Sequence, residues 1–215
     1  MGGSMAKSGH KTAAVYQLTL GALYVAFFAL AGNVPFLSAI QLIPGVPITL
    51  QVFLVAMMGL TLGVRGGLTS LGAVWVLTFC GLPMMAGGKG GPAVFAGPTA
   101  GYILGWVFIV LLTGLYSDLV MKKLLRKRWR GIPLHVPAAF LAGMAGVLVD
   151  YLCGSLMLAA VGGKSLAEIP ALLWSNAAFL PGDVVKVGLA AVLSLSLFAA
   201  PALRGIWPAQ GKTPR

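Results

Sequence analysis

A chain of 215 residues that is 59% hydrophobic and only 9% charged, with a mean hydropathy of +0.95, falls far outside the roughly 25% charge of a soluble domain. The bilayer has to be its solvent, and the length accommodates about six crossing helices of ~20 residues with no separate soluble domain. The net charge of +11 sits between apolar runs rather than on a polar surface, so it reports membrane topology and excludes nucleic-acid binding.

Residues 1–13 are expected to form an N-terminal tail, and Met1-Gly2-Gly3-Ser4 ahead of a second methionine at Met5 reads as a cloning scar. The first span is predicted over residues 14–31. It has no suitably placed Ala-x-Ala cleavage site, which argues for a retained helix rather than a signal peptide. Ala22 and Ala26 give it a small-x-x-x-small face that another helix can approach closely. Gly32-Asn33-Val34-Pro35 closes it. The uncharged loop 35–47, with Pro44-Gly45, is expected to lie against the protein or dip into the interface, as a lid would.

Spans two (48–62) and three (67–82) are joined only by Gly63-Val64-Arg65-Gly66, a tight hairpin. At about 1.5 Å per residue each falls short of a roughly 30 Å hydrocarbon core, which points to a recessed binding depression. A glycine-rich segment, 83–98, precedes span four (101–120). The basic loop with Lys122, Lys123, Arg126, Lys127, Arg128 and Arg130 follows, then span five (136–161), a polar connection with Lys164, Glu168 and Asn176, span six (183–203) and a tail, 204–215. Cys80 and Cys153 lie in apolar runs without metal-ligand spacing and read as packing residues, and no metal site is predicted. With both termini inside, only Lys89 and Lys164 stand in outer loops, whereas Lys7, Lys11, Arg65, the basic loop, Arg204, Lys212 and Arg215 lie inside. The prediction is an all-α integral membrane bundle of six transmembrane helices, N-in and C-in, its binding domain spanning 14–203.

Ionisable residues at membrane depth are few: Asp150, Asp183 and Lys186. Each costs about 2.5–3.5 kcal/mol at a helix centre unless a partner, water or ligand receives it. Asp183 and Lys186, three apart, project from one helix face, either as a capping pair or as ligand contacts. Asp150 reads less clearly, because Tyr151 beside it can mark the outer interface, and an interhelical hydrogen bond is its favoured role. Gly87-Gly88-Lys89-Gly90-Gly91 lacks the order of a Walker A loop, so no nucleotide site is encoded. Its glycines suit either a flexible linker or backbone N–H groups turned toward an anion.

Several segments together resemble the BioY family, the biotin-specific S components of energy-coupling-factor (ECF) transporters. They are Ile48-Thr49-Leu50-Gln51, the Leu-Gly-x-Arg-Gly core within 59–67, Gly81-Leu82-Pro83, the doubled glycines around Lys89, Gly97-Pro98-Thr99-Ala100-Gly101-Tyr102, and Leu180-Pro181-Gly182-Asp183-Val184-Val185-Lys186. Ala100 and Lys89 depart from the family pattern. The resemblance implies capture of biotin on the outer side of a bacterial or archaeal cell membrane. It also implies a transmembrane coupling protein (T component) docked on Ala22 and Ala26, and two ATPase subunits that hydrolyse the ATP. Catalytic residues and cofactors are not expected. Asp183, Lys186 and Tyr102 become the foremost ligand contacts, joined by Gln51, Gly88, Lys89 and Gly90, with Lys186 meeting either the ureido carbonyl or the carboxylate of biotin. The competing readings are an S component for another small vitamin and, less favoured, a small membrane enzyme or channel, for which no catalytic cluster or polar stripe is found.

Overall fold

The structure, a computed structural model, describes residues 2–33, 41–43, 46–47, 49–121 and 132–199. Helix α1 (Gly2–Asn33) is continuous, so the expected tail extends the first helix; no proline interrupts the run. A two-stranded antiparallel pair, β1 (Gln41–Ile43) and β2 (Val46–Pro47), supplies the only strands among the described residues. The lid expected at 35–47 falls largely outside them, as do the basic loop and the C-terminal tail.

Helix α2 (Gln51–Phe79) breaks at Gly63, whose φ of 75° and ψ of −173° are not helical. The limbs fold back on each other: the Gln51 amide at the start of one donates to the carbonyl of Met84, just past the end of the other, at 3.0 Å. The expected four-residue turn contracts to Gly63, because glycine adopts this positive φ without steric cost and the next amide finds a partner outside the helix. That partner is Asp118, whose carboxylate accepts the Val64 N–H at 3.0 Å.

Helix α3 (Ala100–Tyr116) continues into a π turn, Ser117–Met121, which carries Asp118. Helix α4 (Ile132–Val161), the short α5 (Ile169–Ser175) and α6 (Leu180–Ala199) complete the fold. Among the described residues, five helical segments are long and apolar enough to cross a membrane: Ala14–Asn33, Gln51–Phe79, Ala100–Val120, Leu134–Val161 and Leu180–Leu197. The most extensive packing is between α3 and α4, where Gly101 and Gly105, one turn apart, bring the backbones together; a β-carbon at Gly101 would overlap the Cys153 carbonyl. Phe28, Met58, Leu60, Leu71, Ile109, Val147 and Val187 are fully buried, while Leu18, Val76, Leu141 and Val185 point outward over the surface a bilayer covers. Cys153 is half-buried, but Cys80 is exposed just beyond the end of α2, so the packing role assigned to it from its apolar flanks does not hold.

The bundle has two distinct ends. One carries Gly63 and Asp118, and the other the segments 83–98 and 162–182. In the second of these, Ser165 and Glu168 form a capping box, with the Ser165 N–H donating to Glu168 Oε2 at 2.9 Å. That N–H, and secondarily Lys164 at 3.5 Å, holds the exposed Glu168 carboxyl below its ordinary range.

Candidate functional site

A cavity of about 410 Å³ lies among α2, α3, α4 and α6, beneath the 83–98 segment. Its volume suits a small organic molecule. Val52, Val94, Ile103 and Phe179 make its walls apolar. Trp106 adds an indole that Phe28 fixes edge-on, with ring centroids 5.3 Å apart.

The polar centre is built on the first turn of α6. Asp183 is 4% exposed, and its own N–H is taken by the Phe179 carbonyl. Its carboxylate caps no backbone: Oδ1 accepts from Lys186 Nζ at 2.9 Å and Oδ2 from the Tyr151 hydroxyl at 2.6 Å. The spacing of three places Asp183 and Lys186 on one helix face, and α4 supplies Tyr151 from across the bundle. Tyr151 is buried, which corrects its reading as an interface marker.

Tyr102 is fixed on two sides. Its ring lies over Gly154, where a β-carbon would overlap it, and its hydroxyl donates to Asn176 at 2.7 Å. Asn176 is fully buried and in turn donates to Ser155 at 2.8 Å. Gln51 reaches the cavity from the opposite side, where the Thr49 hydroxyl donates to its side-chain oxygen at 3.1 Å.

The glycine loop supplies the cavity rim. Its flexible-linker reading gives way to an anchored turn, in which the Met85 N–H donates to the Lys89 carbonyl at 2.9 Å and the Gly91 N–H to Thr78 at 2.7 Å. Lys89 and Gly90 line the cavity, Lys89 with its side chain exposed to solvent. Gly88 does not line it. Its N–H donates to the Gly32 carbonyl at 3.2 Å, since the positive φ of Gly87 and Gly88 turns the loop against the end of α1. Six of the seven expected ligand contacts, Asp183, Lys186, Tyr102, Gln51, Lys89 and Gly90, therefore surround one cavity, although they come from four stretches of the sequence.

Asp150 also lines this cavity. The interhelical hydrogen bond expected of it is not made: Oδ1 is buried above Gly105 and has no partner. Ala22 and Ala26 lie on the exposed side of α1, opposite the buried Gly21, Tyr24 and Phe28.

The chain as a whole has relatives among known proteins. The profile of the BioY family matches residues 5–202. The chain belongs to the BioY family. It is 38% identical to the biotin transporter BioY of Rhizobium etli over 177 residues, covering 82% of this chain and 90% of that one. It is 37% identical to the biotin transporter BioY of Rhodobacter capsulatus, covering 80% and 87%. A solved crystal structure, that of the S-component for biotin from an ECF-type ABC transporter, matches with a TM-score of 0.71 at 33% identity, covering 86% of this chain and 92% of that one.

Within this BioY fold, the sequence left Tyr151, Asn176, Thr49, Trp106 and Phe179 unassigned to the site. Tyr151 and Ser155 repeat at i and i+4 on a mostly apolar helix, a polar face that marks the inward side. Thr49, Trp106 and Phe179 carry no comparable signal, because apolar and hydroxyl residues recur throughout the spans.

Proposed function

We propose that the chain is the substrate-binding S component of an ECF-type vitamin importer and captures biotin in the cavity bounded by Asp183, Lys186, Tyr102 and Gln51. The observation that carries this reading is an acid, a lysine and a tyrosine hydroxyl linked at 2.6–2.9 Å inside an apolar chamber. Biotin presents a ureido group with two N–H donors and one carbonyl, an apolar ring and chain, and a carboxylate. Asp183 accepts from a ureido N–H, Lys186 donates to the carbonyl or meets the carboxylate, Tyr102 and Gln51 add hydrogen bonds, and Trp106 and Phe179 cover the ring. Lys89, exposed at the rim, suits an anionic tail that reaches toward water.

The break at Gly63 and the antiparallel limbs of α2 support six crossings rather than five. The distribution of basic residues then supports an N-in, C-in orientation in the cell membrane, with the cavity facing outward. The exposed Ala22 and Ala26 form the surface for a T component, and two ATPase subunits on separate chains supply the ATP hydrolysis. The site has no use for a cofactor and performs no catalysis; biotin is cargo.

Equilibrium binding of biotin to purified protein in detergent tests the assignment, comparing wild type with Asp183→Asn and Lys186→Met. Folded wild type that fails to bind micromolar biotin, or that prefers another vitamin, overturns the substrate. Wild-type binding that both variants retain in full overturns the site alone. Ala26→Leu is expected to weaken co-purification with the T component and leave biotin binding unchanged.

A further inference from the structure

Asp150 is the anomaly of the cavity. It is 3% exposed and lies on the cavity wall; its Oδ1 is shut in against Gly105 with no hydrogen-bond partner, so Oδ2 is the oxygen the cavity reaches, while the surrounding polar groups are satisfied by one another. Lys186, the more buried of the two lysines that line the chamber, is engaged with Asp183; the Tyr151 hydroxyl is engaged with Asp183 as well, and the Tyr102 hydroxyl with Asn176. Gly105 leaves just enough room for the carboxylate, since a β-carbon there would overlap Oδ1. A buried acceptor without a donor costs the free energy of its lost hydration, and a site that keeps one in place gains when a ligand brings the donor.

We propose that Asp150 is a specificity-determining ligand contact, a second carboxylate that accepts a hydrogen bond from an N–H donor of the bound molecule. This rests on the reading of the cavity as a biotin site and deepens it. A cyclic urea carries N–H groups on both flanks of its carbonyl, and two acidic side chains from different helices, Asp183 on α6 and Asp150 on α4, line the cavity that would receive it. Lys186, bound to Asp183, keeps a donor for the carbonyl between them. The chemistry selects ligands with two N–H donors over ligands with one.

The test measures binding of three ligands to wild type, Asp150→Ala and the near-isosteric Asp150→Asn. They are biotin and its two cyclic carbamate analogues, in each of which one ureido N–H is replaced by a ring oxygen. Asp150→Ala is expected to weaken biotin roughly 10- to 100-fold, as for loss of a hydrogen bond to a charged group. For one carbamate it binds at least as well as wild type, because the ring oxygen no longer faces a carboxylate. For the other carbamate it shows the same loss as for biotin. Asp150→Asn, which keeps an acceptor oxygen and the shape of the side chain, is expected to lose less, and it carries the comparison if the alanine variant does not fold. Equal losses for all three ligands, or no loss for any, overturn the proposal and leave the biotin reading intact. Absence of biotin binding by folded wild type overturns both.

Discussion

Lys186→Met isolates the charge pair at the heart of the cavity. Lys186 Nζ and Asp183 Oδ1 stand 2.9 Å apart, with side chains only 12% and 6% exposed. At that separation and an effective dielectric of about 20 the gross attraction is roughly 6 kcal/mol. Desolvation of both ions offsets much of it, so the pair itself adds little net stability, but removing one partner leaves the other buried and uncompensated. The expected cost is about 3–5 kcal/mol, a large share of a stability of about 5–15 kcal/mol. Asp183→Asn alone strands the lysine, whereas Asp183→Asn with Lys186→Met removes both charges and is expected to recover about 2 kcal/mol or more against the sum of the single losses. Unfolding of all four proteins in detergent, titrated with a denaturing detergent and followed by tryptophan fluorescence, completes the cycle. Additivity within about 0.5 kcal/mol would show that the two charges do not depend on one another and would sink the argument.

Tyr151→Phe removes the hydroxyl that donates to Asp183 at 2.6 Å and leaves a buried carboxylate oxygen short of a donor; a loss of about 1–3 kcal/mol in the same unfolding assay is expected, with weakened biotin binding by calorimetry. Gly63→Ala forces a side chain into a φ of 75° and drives its β-carbon onto Asp118, so a loss of at least about 1–3 kcal/mol is expected, and stability equal to wild type would refute the role of the break. The capping box at Ser165 depends on an ionised Glu168, whose lowered pKa means that the contribution is complete above the unfolded carboxyl range and is lost as pH falls through the folded value. The Ser165 amide resonance followed through an acid titration is expected to shift there, and Glu168→Gln to flatten the curve.

Legibility in the sequence followed the range of the interactions. Lys186 and Asp183 were readable as partners because three residues along a helix is a fixed spatial relation. The hairpin at Gly63 was readable from two short apolar runs with a glycine between them, although its contraction to one residue depends on Asp118, 55 positions away and out of reach of any local pattern. Tyr151 was misread for the same reason: a tyrosine near a helix end anchors in an interface as readily as it turns inward, and the outcome rests on an acid 32 residues later. For Gly88, the flexibility that admits an anion also admits closure onto Gly32, and the neighbouring helix end decided between them.

Composition, hydropathy and the placement of basic residues determined by themselves that this chain lives in a bilayer as a helical bundle, because the cost of burying charge acts on each residue wherever the fold puts it. Local spacing determined that an acid and a lysine share one face of the last helix. Only the tertiary structure decided that six of the seven expected contacts close around a single cavity, and that Asp150 stands in its wall without a partner. Hydrogen bonds between helices depend on distances of a few ångströms across the bundle, and those distances are set by the glycine-mediated approach of α3 to α4.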